Sequence, residues 1–147
     1  MTRSAPEPAK IVFRDPIGDW HENPDPSWIK QVIVDLDRQF WESGGGVAAI
    51  DFYENEERRA VLYLKARAKY GFIVDYDREG SEEGYFVLRN DEHTGETVES
   101  VVGGDGVSYW REHFVPADMA WEAVDYFLRT GDRKRTLVWE IHNAPVI

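Results

Sequence analysis

The chain has 147 residues, 42% hydrophobic and 14% aromatic, with six Trp and no cysteine, which suits one packed domain and excludes disulfides and thiolate chemistry. Its net charge of −11 excludes a phosphate-tracking nucleic-acid surface, which must be basic. No apolar run approaches the ~18 residues that a membrane-spanning helix needs.

Met1–Ala9, with two prolines and small residues, reads as a loose tail on a single domain spanning 1–147. It lacks the apolar core of a signal peptide, so a cytoplasmic location is expected. Lys10–Asp15 (KIVFRD) predicts a first strand, and Pro16–Pro24 reads as loop. Asp25-Pro26 starts a helix, with Asp as cap and Pro at the first helical position. Ile29, Val32, Ile33 and Leu36 then recur on one face, and Ser43–Gly46 (SGGG) stops the helix. Period-two alternation follows in Val47–Tyr53, Ala60–Ala66, Tyr70–Tyr76 and Tyr85–Arg89, separated by short polar or Gly-containing gaps. These segments predict hairpins in an antiparallel meander. TVESVV and VSYWREHF, either side of GGDG, predict a further pair. In VPADMAWEAVDYFLRTGD, Ala120, Ala123, Val124, Phe127 and Leu128 form an amphipathic face, with Asp118 near the start, Arg129 near the end and Gly131 as terminator. Arg135–Ile141 alternates Leu137, Trp139 and Ile141. The expected fold is α+β: an antiparallel β-sheet meander with two amphipathic helices packed on one face.

Chemistry-bearing patterns are sparse. In DYDREGSEEGYF, Asp75, Asp77, Glu79 and Gly80 imitate the start of a calcium loop. The twelfth position is Phe86, which cannot bind a metal, and the flanks alternate like strands. A hairpin tip fits better, with Asp77 just beyond the strand end. His21, His93, His113 and His142 form no paired motif, and without cysteine a structural zinc site lacks ligands. The serines have no nucleophile-elbow context, and Gly44–Gly46 and Gly103–Gly106 lack the setting of a phosphate loop. No enzyme activity, metal or cofactor is expected.

Charge is distributed unevenly. Residues 75 to 105 hold ten acids against Arg78 and Arg89, eight of the eleven net negative charges, while Arg58–Lys69 carries five bases and no acid. Asp77, Glu79, Glu82 and Glu83 cluster between two predicted strands, and Asp105 precedes Tyr109 and Trp110. Clustered carboxylates steer a basic partner, and aromatics supply short-range contact area. The alternatives are a solvated hairpin tip for the acids and packing beneath the second helix for Trp110.

The stretch VPADMAWEAVDYFLRTGDRKRTLVWE resembles the bacterial immunity-protein family found beside polymorphic toxins with deaminase-type toxin domains. The resemblance rests on a Pro near the helix start, Ala120 and Ala123, Phe127-Leu128, Thr130-Gly131 and Trp139-Glu140. One departure is Lys134, where the family often has Pro. The resemblance implies an α+β inhibitor that binds a cognate toxin in the producing cell, the toxin carrying the catalytic zinc. On that implication Asp77, Glu79, Glu82, Glu83, Asp105, Tyr109 and Trp110 are the expected toxin-facing residues, their acids standing in for phosphate. The other reading is a non-enzymatic binding or structural domain with a different partner.

Overall fold

Alternation decides the sheet. The structure is a computed structural model that describes residues 9–34, 41, 47–67, 71–80, 85–90, 97–102 and 105–142. Among the described residues there are nine strands: β1 Lys10–Arg14, β2 Trp20–Glu22, β3 Val47–Glu54, β4 Glu57–Arg67, β5 Gly71–Arg78, β6 Tyr85–Leu88, β7 Thr97–Val102, β8 Asp105–Trp110 and β9 Trp139–His142. Seven make one antiparallel sheet in the order β2-β1-β3-β4-β5-β6-β9, and β7 pairs with β8 as a separate ribbon. Within β4, Ala60, Leu62, Leu64 and Ala66 enter the main core, and Phe72, Val74 and Tyr76 do so from β5. Side chains on a strand point to opposite faces in turn, so Val61, Tyr63 and Lys65 belong to the other face.

Helices α1 (Pro26–Val34) and α2 (Ala117–Thr130) both cover the apolar face. Asp25 starts α1 through its carboxylate, which accepts from the Ser27 amide at 2.9 Å. Ile29 and Ile33 are fully buried, and the Trp41 indole donates to the Val32 carbonyl at 2.9 Å. On α2, Ala120, Ala123, Val124 and Phe127 are buried, and Phe127 meets Phe52 and Tyr76 edge-on at 5.9 and 6.1 Å. Burial of each large side chain is worth about 1.5–3 kcal/mol, so this face carries the stability. Gly131 ends α2 in the left-handed conformation, φ 72°, its amide donating to the Phe127 carbonyl at 2.7 Å.

The α+β meander with both helices on one face is therefore present, with four local differences. Pro16–Pro24 contains β2, paired antiparallel to β1, where loop was expected. The β7–β8 pair stands apart from the main sheet. The last strand begins at Trp139, because the Lys134 carbonyl accepts from the Leu137 amide (3.0 Å) and the Trp139 indole (2.9 Å), holding a turn where strand was expected. Asp77 lies inside β5, opposite Val61, and pairing persists to Arg78. The β3–β4 connection turns on Asn55 and Glu56, both at positive φ (50° and 66°), the geometry of a tight two-residue hairpin.

Candidate interaction face

The sheet face opposite the helices carries a row of ion pairs. Its centre is Asp51, 2% exposed, which pairs with Arg14 at 3.0 Å and Arg58 at 3.8 Å. Arg58 reaches this face because of a register shift at Phe52/Tyr53: Phe52 is opposite Ala60, yet Tyr53 is opposite Arg58. The extra residue, Arg59, breaks the alternation; were the alternation unbroken through Arg59, Arg58 would share the helix-facing side of Ala60. Lys65 pairs with Asp75 at 3.3 Å one row further along. At the β9 side, Glu140 meets Arg89 at 3.2 Å and His113 at 2.9 Å, with His113 itself buried. Among the described residues Arg14 Nε is buried without a hydrogen-bond partner, a cost of about 1–3 kcal/mol held on this face.

The expected partner-facing residues divide three ways. Asp77 and Glu79 come together at the end of β5. Burial pushes the Asp77 carboxyl up, Glu79 pushes it further, and Arg58 opposes both. Glu79 is not a free acid: Arg58 Nε donates to it at 2.8 Å, and its amide donates to the Arg59 carbonyl at 2.9 Å. Glu82 and Glu83 lie outside the described residues. Asp105, Tyr109 and Trp110 belong to β8, and their side chains lie outside the described part of the structure. Nothing described brings them to Asp77 and Glu79.

Topology adds acids that the linear reading passed over. Glu54 pairs with Glu57 across the β3–β4 turn, and Ala60 pairs with Arg78, so this turn and the end of β5 share one end of the sheet. Glu54, Glu56 and Glu57 thereby join Asp77 and Glu79, with Arg58, Arg59 and Arg78 among them. A cleft of about 310 Å³ opens at the same end, between Phe52, Tyr76, Arg78, Glu79 and the Thr130–Asp132 exit from α2. Tyr76 forms its floor and donates to the Gly131 carbonyl at 3.2 Å; burial first, and Asp132 second, push its phenol up to about 12. YENEERR carries the signal for this cluster, but only strand pairing shows its proximity to Asp77.

The other feature missed in the sequence is the turn before β2. Asp15, 4% exposed, accepts from the Ile17 amide (3.0 Å), the Asp19 amide (2.9 Å) and His21 Nε2 (2.7 Å). Burial raises the Asp15 carboxyl, but these donors together outweigh it and hold the group below the usual carboxylate range. His21 in turn packs on Trp28 at 4.8 Å.

Among the described residues, no group of three or more His, Cys, Asp or Glu side chains is placed to hold a metal ion. No described helix is long and apolar enough to cross a membrane. No protein-family model and no curated protein matches the chain.

Proposed function

We propose that the chain is a non-catalytic immunity protein that binds and neutralises a cognate toxin of the deaminase type in the cytoplasm of the producing cell. The observation that carries this reading is the end of the sheet where Glu54, Glu56, Glu57, Asp77 and Glu79 outnumber Arg58, Arg59 and Arg78, with Glu57 paired to Arg59 at 3.5 Å and Glu79 to Arg58. A toxin that acts on nucleic acid presents a basic surface, and clustered carboxylates on a folded edge compete for it as phosphates do. The net charge of −11 adds long-range attraction to the same partner. The resemblance of Val115–Glu140 to immunity proteins supplies the partner class. Inhibition by occupation needs no metal, cofactor or nucleophile from this chain.

The test is a pull-down with the full chain, followed by assay of the stoichiometric partner. A basic toxin domain whose activity falls to background at equimolar chain is the expected result. A stoichiometric partner with no toxic activity would replace this reading with a binding domain of another kind. Recovery of no partner would remove the reading.

A further inference from the structure

We infer that the outer edge of β9 is a dimer seam, where a second copy of this chain adds its own β9 antiparallel about a twofold axis at Ile141. The inference goes beyond the toxin-binding reading and does not rest on it.

The main sheet ends at β9, which pairs with β6 on one side. Which backbone groups face outward follows from that ladder. The Arg89 amide donates to the Val138 carbonyl at 2.9 Å, and the next pair along is Leu88 with Trp139. Antiparallel pairs alternate between hydrogen-bonded and non-hydrogen-bonded, so Val138, Glu140 and His142 turn their amides and carbonyls toward β6. Trp139 and Ile141 turn theirs to the open side, where no backbone hydrogen bond among the described residues reaches them. Sheet edges are commonly closed by Lys, Pro or a bulge, and the strand WEIH has none of these. Val138 and Ile141 add exposed apolar surface at this edge, at 48% and 53%.

Register selects the occupant. An antiparallel strand added here must set outward-facing residues opposite one another. A twofold axis at Glu140 does so, but it places that acid directly against itself, and an axis at Trp139 sets Val138 against Glu140. An axis at Ile141 avoids both. Ile141 then exchanges two backbone hydrogen bonds with Ile141 of the second copy, and Glu140 lies across from His142 of that copy. Ile141 shares the face of Phe86 and Trp139 beside the main core, so pairing with its twin buries apolar surface that the fold leaves in water.

Local charge does not oppose this contact. Residues 133 to 142 hold Arg133, Lys134 and Arg135 against the single acid Glu140, in a chain of net charge −11. Lys134 and Arg135 pair with Glu122 and Asp132, and Glu140 with Arg89 and His113. Two acidic copies therefore meet there without setting excess acid against acid.

Sedimentation of the full chain over a concentration series measures the dimer, and single cysteines test its register in a chain that has none. The parent should sediment as a monomer–dimer equilibrium. Ile141→Pro removes an outward amide that β6 does not use, and should raise the dimer dissociation constant about tenfold or more while melting close to the parent. Under mild oxidation Ile141→Cys should form a covalent dimer, because facing residues of a hydrogen-bonded pair have Cα atoms about 5.5 Å apart, within disulfide reach. Val138→Cys, three residues from the axis and so about 20 Å from its twin, should not. If Ile141→Pro melts low, the two cysteine variants decide. Parent-like dimerisation by a folded Ile141→Pro, or equal crosslinking by the two cysteines, would overturn the seam. So would a parent chain that stays monomeric up to about 1 mM.

Discussion

Replacing Gly131 by Ala tests whether the end of α2 is locked to the sheet. Two costs arise, and the structure separates them. First, the residue sits at φ +72°, where a side chain loses roughly 1–2 kcal/mol. Second, an added Cβ would lie 2.5 Å from Phe52 Cδ1, 2.7 Å from Cε1 and 2.9 Å from Cγ. It meets the edge of a ring that is 3% exposed and packed against Phe127, so the ring cannot swing clear. Overpacking of this kind costs about 1–3 kcal/mol, giving a total near 2–5 kcal/mol. Gly80 is the control, because it has a similar φ of +77° and nothing within 4 Å of the added atom. Gly80→Ala should therefore cost only the conformational part, about 1–2 kcal/mol. Urea unfolding followed by Trp fluorescence measures both, provided the denaturant slopes agree. The collision also predicts coupling: in a Phe52→Leu background the cost of Gly131→Ala should fall toward that of Gly80→Ala. Equal costs for the two glycines in the parent background, or no coupling to Phe52, would refute the packing described for this corner.

Other consequences follow from the same contacts. Phe127→Ala should cost about 3–5 kcal/mol, and Glu122→Gln, on the exposed face and paired with Lys134 at 2.7 Å, less than about 1 kcal/mol; equal losses would mean that α2 is turned the other way. The Tyr76 phenol, raised from 10.0 to about 12, stabilises the fold fully below its unfolded value and loses that contribution as pH rises through the folded value, so unfolding free energy should fall between about pH 10 and 12, and Tyr76→Phe should remove that fall. Charge reversal at Glu79, Glu82 and Glu83 should slow association with the cognate toxin, chiefly at low salt, as stopped-flow mixing would show. Loss of the exposed Arg58–Glu79 pair should add a stability cost of no more than about 1 kcal/mol, and an unchanged association rate would identify the acids as solvated turn residues.

The strands and helices were legible wherever one face is buried for several residues. Ala60, Leu62 and Leu64 repeat at period two, and Ala120, Ala123, Val124 and Phe127 repeat at helical spacing, since burial leaves its period in the sequence. β2 left no such trace. It has three residues, too few to alternate, and its position is set by the Asp15 carboxylate binding amides two and four residues on. The register shift beside Phe52 was equally silent: nothing in ENEERR announces that Arg59 is the extra residue, and only pairing with β3 reveals it. Asp77 was expected past the strand end because acids and Gly80 follow it. The strand continues because β4 extends opposite it and the Arg59 carbonyl accepts the Glu79 amide. For the site, acidity was legible as composition, but the meeting of two hairpin ends depends on strand order. Trp20 carries no sequence mark that sets it apart from the other Trp residues; its exposure does.

The acidic end and the exposed Trp20 are distinct places on one sheet, and both their separation and the faces they occupy decide whether one partner can use both. Trp20 pairs with Arg14, Arg14 with Ala49, and Glu54 lies five residues further along β3. With about 3.3 Å per residue and about 4.8 Å per strand, Trp20 and Glu54 are roughly 19 Å apart. The two side chains leave the sheet on opposite faces, however: Trp20 shares the side of Arg14 and Ala49, whereas Glu54 shares the side of Phe52 and lines the cleft beside the exit from α2. Their physics differs too. In general, carboxylates act across solvent before contact and govern encounter, whereas an exposed indole contributes only at close contact. The fold sets Glu56 at a hairpin tip, ties Glu57 to Arg59 and Glu79 to Arg58, and holds the indole on a turn clamped by Asp15, so the acids and the indole sit on separately built supports.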